Sequence, residues 1–239
     1  MNTEMNIKTL IIKKPLKLDC GKTINNYPIA YETYGSLNEK KDNAILIFHA
    51  LTGDQFVTGL NPITKKDGWW CYAVGPHKAI DTNKYFVICS NVIGGCMGSY
   101  GPSHKDPDTQ KIFGINFPVI TINDMVNAQN NLLDHFGIDK LFSVVGGSMG
   151  GMQVLQFVSN FPNKTKTAVP IACTSNHSAQ NIALNELGRQ AILADNNWHQ
   201  GDYASKNTNP NKGLAVARMA AHITYLSKKG LQEKFGRKL

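Results

Sequence analysis

The sequence predicts an α/β domain built on a mainly parallel sheet, with helices on both faces and a helical cap inserted late in the chain. Three observations predict it. Continuous apolar runs such as Ala44-Ile45-Leu46-Ile47-Phe48-His49 are too uniformly hydrophobic for a half-exposed strand and suit one buried on both sides. From Thr121 to Cys173 the pattern alternates helix, strand, helix, strand, which is how parallel strands are connected. After Cys173 only helical periodicity remains.

The elements follow in order. Pro28 to Tyr34 alternates apolar and polar residues and reads as a half-buried strand, and Ala44 to His49 as a fully buried one. A Gly- and Trp-containing segment from Thr52 to Pro76 with little periodicity leads to a second buried strand, Tyr85 to Ser90. The glycine-dense loop Gly94 to Pro102 allows close backbone approach. Thr121 is a helix N-cap with Asp124 in the first turn, and apolar residues recur at helical spacing until Gly137. Leu141 to Val145 is a strand, a helix runs through Met152 and Val158 towards Pro162, and Thr167 to Cys173 is a further strand. Ser178 to Ala194 and Gly213 to Lys229 each read as one helix. The division expected is a core over 1–175 and a helical cap over 176–239.

At 239 residues and 42% hydrophobic content the chain can bury one sizeable core. No apolar run reaches the roughly 18 residues that a membrane span needs, and Met1 to Lys14 lacks the apolar centre of a signal peptide, so a cytoplasmic protein without a membrane partner is expected. The five cysteines, Cys20, Cys71, Cys89, Cys96 and Cys173, show neither paired spacing nor histidine neighbours suited to zinc, which predicts reduced thiols and no metal. The net charge of +8 is spread in ones and twos, densest around Lys228, Lys229, Lys234, Arg237 and Lys238. Without clustering it argues for a solvated surface rather than a nucleic-acid partner, with attraction of a polyanionic substrate such as coenzyme A as a milder use.

Gly146-Gly147-Ser148-Met149-Gly150-Gly151 carries the pattern G-x-S-x-G between a buried strand and a helix. In that context the serine stands on a sharp, strained turn, and the glycines are needed because side chains there would crowd it. Ser148 is the candidate nucleophile, and the Met149 N–H at the helix start is a candidate oxyanion donor. A second donor is expected from His49-Ala50-Leu51-Thr52-Gly53, at the amide of Leu51. His49 itself reads as a packed histidine at a strand end, because the general base of this arrangement follows the serine in chain order.

His-Ala-Leu-Thr-Gly-Asp at 49–54, Asn-Val-Ile-Gly-Gly-Cys-Met-Gly-Ser at 91–99, Gly-Gly-Ser-Met-Gly-Gly-Met-Gln at 146–153, Gly-Arg-Gln-Ala-Ile-Leu-Ala-Asp at 188–195 and Ala-Arg-Met-Ala-Ala-His-Ile-Thr-Tyr-Leu-Ser at 217–227 together resemble the homoserine O-acyltransferase family. The resemblance implies an α/β-hydrolase fold and transfer of an acetyl group from acetyl-CoA, a substrate rather than a bound cofactor, to L-homoserine in methionine biosynthesis. Succinyl-CoA as donor and serine as acceptor stay open, as does a serine esterase with the same elbow. It further implies that Ser148 is acylated, that Arg218 holds the acceptor carboxylate with Tyr225 two helical turns on and Thr52 beside it, and that family members form homodimers through the cap. Arg189, Asp195, Trp198 and His199 match as cap architecture. Family members carry their Asp and His of the triad later in the chain, so the last strands and both partners are expected to be absent here, and an inactive remnant is the third reading. His177, His199 and His222, which follow Ser148, lie in or beside the helical region and read as structural residues.

Overall fold

A computed structural model describes residues 7–236; Arg237 and Lys238 of the basic C-terminal stretch lie outside the described residues. The strands are β1 (Thr9–Ile12), β2 (Leu16–Lys17), β3 (Thr23–Ile24), β4 (Tyr27–Tyr34), β5 (Ala44–Phe48), β6 (Val74–Gly75), β7 (Ile80–Asp81), β8 (Phe86–Ser90), β9 (Leu141–Gly147) and β10 (Thr165–Ile171). The helices are α1 (Ile122–Phe136), α2 (Met149–Asn160), α3 (Ala179–Leu193), α4 (Asn211–Tyr225) and α5 (Lys228–Phe235), with short 3-10 turns at Gly114–Asn116 and Asn196–Gly201. By its internal packing the chain divides into one unit of Met1–His104 with Phe117–Ser175 and another of Lys105–Asn116 with Asn176–Leu239. The segment Lys105–Asn116 thus groups with the late helices although it lies far from them in sequence.

The first unit is organised by a six-stranded sheet in the order β1-β4-β8-β5-β9-β10. β8, β5, β9 and β10 run parallel, and β4 and β1 join antiparallel at one side. The uniform apolar runs behave as their composition demands, for every residue of β5 and β8 is buried. Alternate residues of β5 serve opposite faces, as a period of two requires. Leu46 and Phe48 pack with Ile88, Leu132, Leu133, Val144 and Phe157 on the side of α1 and α2, whereas Ile45 and Ile47 pack with Val57, Val74, Val87 and Val145. Burying an aliphatic or aromatic side chain of this kind is worth roughly 1.5–3 kcal/mol, so these two clusters dominate the stability of the unit.

The boundaries of α1 are set by its caps. The Thr121 hydroxyl accepts the Asp124 N–H at 3.2 Å while the Asp124 carboxylate accepts the Thr121 N–H at 2.9 Å, and Gly137 closes the helix at φ 62°. Asp124 also accepts the Asp19 N–H at 2.9 Å, which ties the helix start to the β2–β3 hairpin region. β10 forms the outer edge of the described sheet, where Val169 and Ile171 remain 44% and 40% exposed.

In the second unit, the single helix expected from Gly213 to Lys229 is two. α4 ends at Tyr225, Leu226 is extended at φ −104°, ψ 140°, and Ser227 begins α5 by accepting the Gly230 N–H at 3.1 Å. The serine side chain offers the backbone a cap in place of helix continuation, which apolar spacing alone does not reveal. α3 starts one residue inside its expected bound, with Ser178 as the N-cap whose hydroxyl accepts the Asn181 N–H at 3.2 Å. No helix among the described residues is long and apolar enough to cross a membrane.

Candidate active site

β9 delivers the chain to Ser148, which sits at φ 57°, ψ −122° between the strand and α2. A non-glycine residue in such a region costs of order 1–3 kcal/mol and persists only where its surroundings over-determine it. Those surroundings are visible. The Ser148 N–H donates to the Ile171 carbonyl at 2.9 Å, and its own carbonyl accepts the Met152 N–H at 3.0 Å as the first hydrogen bond of α2. A β-carbon on Gly146 would stand 2.4 Å from the Gly150 carbonyl oxygen, and one on Gly150 would stand 2.1 Å from that of Phe48. Both positions therefore admit glycine alone. Gly147, between them, would meet nothing nearer than the Ile171 carbonyl at 3.9 Å.

The second donor candidate comes from the neighbouring strand. β5 and β9 are paired in parallel with Phe48 opposite Gly146, so the chain leaves both strands at the same level of the sheet. From Phe48 it turns through His49 and Ala50 into Leu51 and Thr52, and the turn closes with the Gly53 N–H on the Ala50 carbonyl at 2.9 Å. Leu51 is 68% exposed and Thr52 is exposed, which leaves this loop open to a ligand. The Met149 N–H belongs to the first turn of α2, where backbone donors have no acceptor within the helix. Ser148, Met149, Leu51 and Thr52 thus share one end of the first unit. Backbone donors of fixed orientation beside a serine are what a developing oxyanion requires.

His49 is buried, and its ring has no freedom to serve as a base. Its Nδ1 lies 2.7 Å from the Ala50 carbonyl and must donate to it, so Nε2 is the acceptor for the Val92 N–H at 3.1 Å and the Asn91 amide at 3.3 Å. Burial pushes its pKa below the usual histidine range. The neighbouring Asp54 carboxyl is pushed up by burial, against the hydrogen bonds it accepts from the Phe56 N–H at 2.8 Å and Asn61 at 3.1 Å. Asn91 is a residue to which the sequence assigns no role. Its side-chain oxygen accepts the Met97 N–H at 3.0 Å, so the glycine-dense loop is anchored through it to His49 and the root of the loop after β5. The signal available was an asparagine immediately after a fully buried strand.

Arg218 and Tyr225 belong to α4 in the second unit. They are seven residues apart and both exposed, Tyr225 at 72%. Asp195 closes a turn in that unit, accepting the Asn197 N–H at 2.9 Å and the Gly213 N–H at 2.8 Å, and Trp198 stacks on Tyr203 at 5.5 Å. Arg189 pairs with Glu186 one turn earlier on its own helix. His177, His199 and His222 all belong to this unit, and His222 Nδ1 is engaged with the Arg218 carbonyl at 3.0 Å. Among the described residues, the hydrogen bonds of histidine side chains go to partners other than the Ser148 hydroxyl. Among the same residues no group of three or more His, Cys, Asp or Glu side chains is placed to hold a metal ion.

Comparison with known proteins adds to this geometry. The chain is 78% identical over its whole length to a homoserine O-acetyltransferase of Pelagibacter ubique, and spans 64% of that protein. In structure it is similar to a homoserine O-acetyltransferase from Bacillus anthracis (TM-score 0.88, 28% identity, covering 97% of this chain and 63% of that one). It is also similar to esterase E22 (TM-score 0.86, 32% identity, covering 95% of this chain and 63% of that one). A family model described as the alpha/beta hydrolase fold matches residues 43–238. Because that match runs from the first buried strand through the serine elbow and the helices beyond it, the chain belongs to the α/β-hydrolase fold family.

Proposed function

We propose that this chain carries the nucleophile and oxyanion site of a homoserine O-acetyltransferase, an acyltransferase of methionine biosynthesis. The observation that carries the reading is its likeness along the whole chain to a protein of that name, joined to a Ser148 elbow in which Gly146 and Gly150 tolerate no substitution. In the proposed reaction Ser148 Oγ attacks the thioester carbonyl of acetyl-CoA and loses its proton to a base. The C–S bond breaks, coenzyme A leaves as the thiol, and an acetyl ester remains on Ser148. The hydroxyl of L-homoserine then attacks that ester, its proton goes to the same base, and Ser148 is regenerated as O-acetylhomoserine departs.

The N–H groups of Met149 and Leu51 are assigned to the oxyanion in both steps. Arg218 is assigned to the acceptor carboxylate on chemistry, since its planar fork donates two parallel hydrogen bonds, with Tyr225 and Thr52 as further substrate contacts. His49 is not assigned as that base, because both of its ring nitrogens are already engaged with the Ala50 carbonyl, the Val92 N–H and the Asn91 amide. A serine esterase is the second reading, favoured by the likeness to esterase E22.

The test is intact mass of the protein after incubation with acetyl-CoA, repeated with Ser148→Ala and with L-homoserine added. Gain of one acetyl group that requires Ser148 and is discharged as O-acetylhomoserine supports the transferase. Discharge to acetate whether or not homoserine is present establishes the esterase, and turnover by Ser148→Ala at more than about a thousandth of the parent rate refutes both.

A further inference from the structure

Five residues after Ser148, on the buried face of α2, stands a glutamine in a position that core packing would fill with an apolar side chain. Gln153 is fully buried, and its amide donates both to the His49 carbonyl and to the Met149 carbonyl, each at 3.3 Å. One carboxamide thus bridges the root of the oxyanion loop and the residue whose N–H opens α2. Its own oxygen accepts the Gln129 amide at 3.1 Å, which prevents the carboxamide from turning over. The Gln129 oxygen is buried without a hydrogen-bond partner. A half-satisfied polar pair between α1 and α2 is a poor way to stabilise a core, because a buried acceptor without a donor loses its hydration and gains nothing in return.

We infer that Gln153, oriented by Gln129, is a positioning residue that fixes the spacing between the Leu51 and Met149 N–H groups and so sets the strength of the oxyanion site. It touches neither substrate nor reacting atoms. Its effect falls on the transition state, where the oxyanion forms, and spares ground-state binding. The inference rests on Ser148 being acylated, as proposed above, and not on which donor or acceptor is used.

The test compares the parent chain with Gln153→Met, which keeps the length and removes the donor, and with Gln129→Leu/Gln153→Leu, which makes the pair apolar. p-Nitrophenyl acetate is the probe because its acylation of Ser148 forms the same oxyanion while needing no coenzyme A contact and no protonation of the leaving group, so the outcome does not depend on acetyl-CoA being the natural donor. The expected result is acylation slower by about 10-fold or more with KM within about twofold of the parent, while the melting temperature of the double variant is equal or higher. Hydrogen exchange of the amides of residues 50–53 is read in parallel and is expected to be faster in both variants with β5 unchanged. Acylation within twofold of the parent, a KM that rises while the maximal rate holds, or unaltered exchange at 50–53 would each overturn the inference.

Discussion

The two units of the chain solve opposite problems. In the first, β5 and β8 are buried at every residue, and His49, Asn91 and Asp124, polar side chains that enter the interior, are held by hydrogen bonds to defined partners. In the second, α3 and α5 have no buried residue and α4 has only Gly213, while Ile182, Leu187, Met219 and Ile223 stand more than half exposed. α3 and α4 meet through small residues instead. A β-carbon on Gly213 would lie 2.3 Å from the Ala191 carbonyl, and one on Gly188 would lie 3.6 Å from the Ala217 side chain. A strained serine elbow requires a frame that resists relaxation, and only the first unit has the buried area to supply one. Substrate-binding side chains such as those proposed on α4 make no such demand.

The largest effect that would sharpen this contrast is expected at the elbow. Gly150→Ala forces a methyl group to 2.1 Å from the Phe48 carbonyl, which cannot move without breaking the β5–β9 pairing. It should cost about 3 kcal/mol in urea unfolding and abolish labelling of Ser148 by an activated ester. Gly147→Ala, with 3.9 Å to its nearest neighbour, should cost less than about 1 kcal/mol. Equal costs at the two glycines would mean that the elbow is not over-determined.

A second pair of truncations compares the units directly. Phe157 is fully buried against Phe48, ring centroids 5.8 Å apart, and Phe157→Ala should cost about 3–5 kcal/mol. Ile223→Ala, on the exposed side of α4, should stay within about 0.5 kcal/mol. A cost at Ile223 comparable to that at Phe157 would break the comparison by showing that this helix face is covered in solution.

Much of the first unit is legible in the sequence, because its signals are local. Thr121 and Gly137 bound α1 through their own side-chain and backbone chemistry, and the uniform apolar run at 44–48 suits only a doubly buried strand. Ser148 is legible for the same reason, since the glycines that a tight elbow needs are adjacent to it. The break between α4 and α5 is not, because Ser227 acts by a cap that competes with an otherwise acceptable helical pattern. The membership of Lys105–Asn116 in the second unit is also hidden, as no periodicity in a loop says where it packs. Gln129 and Gln153 are invisible as a pair, being 24 residues apart and joined only by the packing of α1 on α2. Local rules reach a strained serine elbow. They do not reach the side chains that hold its surroundings still.

The smallest effect concerns pH, and it tests whether the first unit's buried polar residues are fixed in the way its hydrogen bonds imply. Burial holds the His49 pKa below its ordinary 6.5, and in the unfolded chain that restraint is gone. Between the two values the unfolded state carries a proton that the folded state refuses. The contribution of His49 is therefore fully present above pH 6.5 and is lost as pH falls through the folded value. The neighbouring Asp54 works against this, for its charge favours a protonated imidazole, but burial outweighs it. His49→Gln keeps a donor and an acceptor without titrating, so its urea-unfolding free energy should fall less steeply than the parent's as pH is lowered from about 6.5 to about 5. Parallel slopes for the two proteins would mean that His49 takes up its proton within the folded chain. The hydrogen bonds from Val92 and Asn91 to its Nε2 would then have to break, and with them the link from the glycine-dense loop to the loop after β5.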